Sequence, residues 1–160
     1  MDLAEVSHNI NLVKKDNAKW LRYAHDLIEG NSLPKDAIPK YKDDCLACYW
    51  LYDHSGEVNQ YYQTQEQDEL NLFNFDTMEQ VVILRYDLHE QYLSIFKTFL
   101  PELNHSFFAN LFRGEHTLSA EDVKRAKQSL LEMKKLVIVL EKKLSILEAS
   151  LLDLCKLNIA

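Results

Sequence analysis

A chain of 160 residues is long enough for one compact domain that buries most of its apolar surface. Only three glycines and three prolines punctuate it, so the composition points to an all-α class. A net charge of -7 excludes the basic stripe that nucleic acid needs and disfavours an anionic membrane surface. The three cysteines, an odd number, fit a reducing cytoplasm better than a disulfide framework.

No apolar run approaches the roughly 18–20 residues that span a bilayer, and Met1-Asp2-Leu3-Ala4-Glu5 does not read as a signal peptide. A cytoplasmic location is expected. The first predicted helix runs from about Asp2 to Glu29, with Leu3, Val6, Ile10, Val13, Trp20, Ala24 and Leu27 on one line. Gly30-Asn31-Ser32 stops it, and Pro34 and Pro39 hold an irregular connection. A short second helix is predicted over about Tyr41 to Tyr52. The polar segment from Asp53 to Phe75, with Gln60, Gln63, Gln65 and Gln67, reads as a long loop with at most one helical turn.

Asp76-Thr77-Met78-Glu79 forms a capping box and opens a third helix. Its apolar line is Met78, Val81/Val82, Leu88, Tyr92, Ile95/Phe96 and Phe99, and Pro101 ends or kinks it. Asn104 to Leu111 reads as an aromatic helical continuation with Phe107, Phe108 and Phe112, before the turn at Arg113-Gly114-Glu115-His116. Ser119 with Asp122 caps a last helix of about 38 residues, roughly 57 Å long.

That last helix carries a sustained heptad. Leu130, Val137, Leu144 and Leu151 fall seven apart, and Met133, Leu140, Leu147 and Leu154 repeat the spacing three residues on. Leu131, Leu136, Ile138, Val139, Ile146 and Leu152 add apolar positions outside that seam. One stripe is therefore expected inside the protomer and the other against a second copy, with the heptad assigned to the dimer. The expectation is an up-down four-helix bundle in residues 1–129, continuous with a coiled-coil dimerisation and transmission helix in 130–160. The dimer is expected to be parallel, with Cys155 near the end of the stalk.

Polar residues interrupt two apolar lines. Asn17 stands on the first helix's stripe, and Arg85 and His89 stand on the third's. Burying a neutral polar group without a partner costs roughly 1–3 kcal/mol, and a guanidinium more, so these side chains should meet in one polar layer with Cys45 as fourth member. Such a layer can act simply to fix helix register, or it can form a metal or small-molecule site.

These residues also carry a resemblance. Asn17-Ala18-Lys19-Trp20, then Cys45-Leu46-Ala47-Cys48-Tyr49-Trp50, then Arg85-Tyr86-Asp87-Leu88-His89 resemble the chemoreceptor zinc-binding (CZB) domain. That cytosolic bundle occurs in bacterial chemoreceptors and at the N-terminus of some GGDEF diguanylate cyclases. The family pattern is His-x-x-Trp, Cys-x-x-Gly-x-Trp and His-x-x-x-His, with three His and one Cys on zinc. Trp20, Cys45, Trp50 and His89 match; Asn17 and Arg85 stand where two ligand histidines would be, and Cys48 replaces the motif glycine.

Asn is a poor zinc ligand. A guanidinium beside a dication at about 4 Å is repelled by roughly 8 kcal/mol at an effective dielectric of about 20. No metal or other cofactor is therefore expected. Cys45, Cys48 and His89 remain the candidate ligands of a rearranged site completed by His25 or His54. His105 and His116, like His25 and His54, otherwise read as surface or loop residues, and Trp20 and Trp50 as core. Neither a phosphate loop, a nucleophile elbow, an HExxH nor a Glu-x-x-His pair is present, so no catalytic residue is assigned. What the resemblance implies is a non-catalytic regulatory and dimerisation module ahead of a signalling output domain in the same polypeptide, with a GGDEF diguanylate cyclase making c-di-GMP as the expected output. A zinc- or ligand-binding sensor and a stand-alone helical adaptor are the alternatives.

Overall fold

A computed structural model describes residues 2–40, 42–64, 75–103 and 118–159. Among them are four α-helices and no strand: α1 Leu3–Glu29, α2 Leu46–Thr64, α3 Phe75–Leu103 and α4 Ala120–Ile159. A single 3₁₀ turn, Lys35–Ala37, lies between α1 and α2. No helix among the described residues is long and apolar enough to cross a membrane.

The ends of α1 follow from local chemistry. Asp2 Oδ1 accepts the Ala4 N–H at 3.0 Å, satisfying a donor that the first turn cannot. At the other end Gly30 adopts φ 76°, the left-handed conformation that a Cβ disfavours, and the Asn31 N–H reaches back to the Asp26 carbonyl at 2.9 Å. Between the caps, Val6, Ile10, Val13, Asn17, Trp20, Ala24 and Leu27 are buried at three- and four-residue intervals. The polar Asn17 sits on this stripe as its spacing predicts.

The second helix differs from its expected span. It starts at Leu46, where the Cys45 carbonyl accepts the N–H groups of Cys48 and Tyr49, and runs on to Thr64. Cys48, Leu51, Ser55 and Val58 form its buried stripe, and so much of the segment expected as a loop is helical. The glutamines concealed this because a single buried residue in every three or four is enough to hold a helix against neighbours. Residues 65–74, the rest of that segment, and the aromatic stretch 104–117 lie outside the described residues. Helix α3 begins at Phe75 and continues to Leu103, with Pro101 inside its last turn. The α4 N-terminus is a reciprocal capping box: the Ser119 N–H donates to Asp122 Oδ2 at 3.3 Å, and the Asp122 N–H to Ser119 Oγ at 3.1 Å.

Helix α4 has 40 residues, so it spans about 60 Å, against about 40 Å for the 27 residues of α1. It packs on both α1 and α3, and α2 packs on α1 and α3 as well. The heptad seam expected to meet a second copy faces this core instead. Leu130, Met133, Leu140, Leu144, Leu147 and Leu151 are buried within the protomer and Val137 is half-buried. The side chain of Leu154 lies outside the described residues, as does that of Cys155. The physical reason is demand: a helix wedged between two neighbours needs its richest apolar stripe for them, and each buried leucine contributes roughly 1.5–3 kcal/mol. The second stripe is the one left outside, with Leu131, Ile138, Val139, Ile146 and Leu152 exposed. Buried positions from Ala126 to Leu151 belong to one core, so no change of environment marks residue 130.

Candidate functional site

The four polar-layer residues converge from three parts of the chain. Asn17 is on α1, Cys45 immediately precedes α2, and Arg85 and His89 lie one turn apart on α3. All are buried, Arg85 to 2% exposure and Asn17 to 1%. At the centre is the Arg85 guanidinium. Its Nη1 donates to Asn17 Oδ1 at 2.6 Å, linking α3 to α1.

Two carboxylates complete it. Arg85 Nε and Nη2 donate to Asp43 Oδ2 and Oδ1 at 3.2 and 2.5 Å, a two-point clamp that matches the planar fork. Nη2 also lies 2.7 Å from Asp16 Oδ2. Each acid is itself held: Asp16 accepts from Trp20 Nε1 at 2.9 Å and pairs with Lys19 at 3.1 Å, while Asp43 Oδ1 accepts the Cys45 N–H at 3.2 Å. The clamp thus ties the connection before α2 to α3, and the capping of α2 to the same carboxylate.

Burial opposes the charge on Arg85, but the Cys45 thiolate, at the alkaline pH where it forms, and the Asp43 and Asp16 carboxylates outweigh it and hold the guanidinium protonated more firmly than in water. Burial pushes the Cys48 thiol up to about 12. It raises Cys45 too, against the pull of Arg85. Both cysteines are free and buried, and at neutral pH both are thiols. Two polar atoms of the layer lack a partner, Asn17 Nδ2 and His89 Nε2.

The residues at the four positions do not fit a zinc ion. Arg85 offers no lone pair, and the only oxygen of the Asn17 side chain is committed to it. No group of three or more His, Cys, Asp or Glu residues among the described ones is arranged to hold a metal. The rearranged site with Cys45, Cys48 and His89 is not assembled either. His25 is exposed and lies 3.9 Å from Asp26, and His54 places Nδ1 2.8 Å from the Trp50 carbonyl while stacking on the Trp50 ring at 4.1 Å. His105 and His116 lie outside the described residues.

Asp16 and Asp43 are the site residues that stripe reading misses. Asp16 is one position off the α1 stripe, and Asp43 is in an irregular segment with no period. The signal was available in chemistry: a buried arginine requires counter-charge, and its long side chain reaches carboxylates adjacent to a stripe as well as on it. Trp20 is buried and edge-on to Tyr23 with centroids 5.8 Å apart, and it serves the site by orienting Asp16. Trp50 is half-buried.

What the arrangement does chemically is hold a fixed cation among acceptors, a tie between three chain segments. Comparison of the chain with protein-family models, curated proteins and solved structures finds no match in any of the three.

Proposed function

We propose that this chain is a non-catalytic regulatory and dimerisation module of a bacterial signalling protein, resembling a CZB domain whose metal position is taken by an arginine side chain. The observation that carries the reading is the convergence of Asn17, Cys45, Arg85 and His89 in one buried layer, with Asp16 and Asp43 closing around the guanidinium. A permanent internal cation ties α1, the α2 entry and α3 where the family uses an exchangeable one. The reading includes an up-down order of the helices, supported by Lys14 meeting Glu148 at 2.9 Å and by Leu27, Phe99 and Leu118 lining one cavity. The layer biases the packing of α4, and α4 passes that bias to an output domain in the same polypeptide, a GGDEF diguanylate cyclase in the leading version.

Two measurements test this. The double substitution Asn17→His/Arg85→His restores three histidines and one cysteine, the closed set that zinc requires. The variant should take up about one zinc per chain where the parent takes none, and a variant that folds but stays metal-free overturns the resemblance. Reading the codons that follow Ala160 tests the relay: an in-frame Asp-x-Leu-Thr-Gly-Leu followed by GG[DE]EF supports it, and an immediate stop codon removes the output domain and favours an adaptor.

A second reading has one observation in its favour. A cleft of about 470 Å³ borders His89, whose Nε2 has no partner, and Lys42, Tyr49, Tyr86 and Lys97 line it. A small-molecule sensor would use such a cleft. Chemical-shift changes confined to His89 and Tyr86 on adding a metabolite mixture would favour that version.

A further inference from the structure

The apolar positions that the bundle leaves outside are concentrated on two adjoining helices. On α4, Leu131, Lys135, Ile138, Lys142 and Ala149 recur at the three-, four- and seven-residue intervals of one helix face, with Leu152 at its far edge. Ile138 is 68% exposed. Lys124 and Lys127 extend the same face toward the α4 N-terminus, so it is both greasy and basic in a protein of net charge -7. On α3, Asp76, Glu79, Ile83, Tyr86, Asp87 and Glu90 recur at the same spacing; Ile83 is 53% exposed and the four acids around the two apolar residues are exposed too. Lys97 is the one positive residue further along this line.

The two strips lie side by side. Lys143 Nζ donates to Gln80 Oε1 at 2.9 Å across the α3–α4 contact. Ile83 follows Gln80 by three positions, and Val139 and Ile146 flank Lys143, so these three exposed apolar residues border this seam. Contact of α4 with its own copy would set Lys135 and Lys142 against lysines, which is unfavourable. Contact of α4 with the α3 of another copy brings lysines to carboxylates and apolar residues to apolar residues.

We propose that the α3–α4 face is a self-complementary docking surface for a second copy of this chain, related by a two-fold axis, in which the basic strip of each α4 lies on the acidic strip of the partner's α3. A two-fold axis makes that contact twice, so one pairing rule serves both halves of the interface. The inference rests on the dimer included in the proposed function and replaces the heptad seam as its contact. The inner heptad is then free to hold the protomer together while the outer strips set how two protomers sit.

A mixing experiment tests it. One variant, Lys135→Glu/Lys142→Glu, sets acids at the middle of the α4 strip, against the partner's α3 acids; the other, Glu79→Lys/Asp87→Lys, sets lysines at the middle of the α3 strip, against the partner's α4 lysines. All four positions are exposed, and circular dichroism checks that each variant keeps the parent's helix content. In sedimentation equilibrium each variant alone should associate roughly tenfold or more weakly than the parent. Mixed, they should form a heterodimer, identified by its mass in native mass spectrometry. A parent chain that stays monomeric overturns the dimer and this surface together. A dimeric parent whose α3 variant also remains fully dimeric, or variants that do not recombine, overturn this surface alone. Ile83→Ser should also weaken the dimer without changing any charge, and an unchanged mass distribution for it counts against the surface even if a charge variant fails to fold.

Discussion

The inner seam of α4 and the Arg85 layer are both interior, but they specify the fold by opposite means. Along the seam Met133, Leu140, Leu144 and Leu147 are fully buried hydrocarbon, and any neighbour of the right volume satisfies them. In the layer the acceptors are held at set distances from one guanidinium: Asn17 Oδ1 at 2.6 Å and Asp16 Oδ2 at 2.7 Å. Apolar packing supplies stability with little direction; the ionic layer supplies direction at a high desolvation cost. The bundle therefore owes its cohesion to α4 and the relative placement of α1, α3 and the α2 entry to Arg85.

That contrast is most sharply broken at its centre. Arg85→Met keeps the volume and removes the charge, leaving Asp16, Asp43 and Asn17 around an apolar side chain. Breaking one partner of a buried pair costs about 3–5 kcal/mol. Because the Asp16 and Asp43 side chains keep 21% and 11% of their exposure, the lower end of that range is expected in urea unfolding. Adding Asp43→Asn to Arg85→Met should recover part of the loss, since it removes one stranded charge. A double variant as unstable as the sum of its parts would show that the carboxylate and the guanidinium do not act together.

On the seam, Leu144→Ala should cost about 2–5 kcal/mol through lost burial and the cavity left behind. The discriminating reading is the association state. Leu144 is inside the protomer, so the alanine variant should unfold more easily while dimerising no less at temperatures where it is folded. Loss of the dimer from a folded Leu144→Ala chain would return the heptad to the subunit interface.

How much of this was legible follows from the same contrast. Periodicity marks any residue that must face inward, so the burial of Asn17, Arg85 and His89 and the inner line of α1 could be read from spacing. Periodicity says nothing about which of two apolar stripes faces inward when a helix has both, and α4 has both. The choice depends on how many neighbours the helix must satisfy, a property of the assembled bundle. Asp43 was hidden for another reason. It sits in a segment with no period, and its pairing with Arg85 joins positions 42 residues apart in the chain. The extension of α2 to Thr64 was concealed by composition: Asp53, Glu57 and Gln60 face outward and are polar, and the inward Ser55, whose hydroxyl donates to the Tyr52 carbonyl at 2.7 Å, does not announce a core.

The smallest effect expected near neutral pH comes from a group at the edge of both regions. Cys48 is buried in the core beside the layer, and burial lifts its thiol from an ordinary value of 9.0 to about 12. A folded value above the unfolded one means that the folded chain keeps a proton that the unfolded chain has already released. The thiol's contribution to stability is therefore intact below about pH 9 and is lost progressively as the pH rises toward 12. Within that window it should lower the unfolding free energy by about 1.4 kcal/mol for each pH unit. Burial also raises Tyr92, helped by Tyr23 and Asp36, so the parent's alkaline slope has more than one source. Cys48→Ala should make the slope shallower by the thiol's share and leave stability below pH 9 reduced only by the small volume lost. An alkaline slope identical in parent and variant would mean that this thiol reaches solvent before the chain unfolds, and that the packing between Cys48 and the Arg85 layer is looser than its burial indicates.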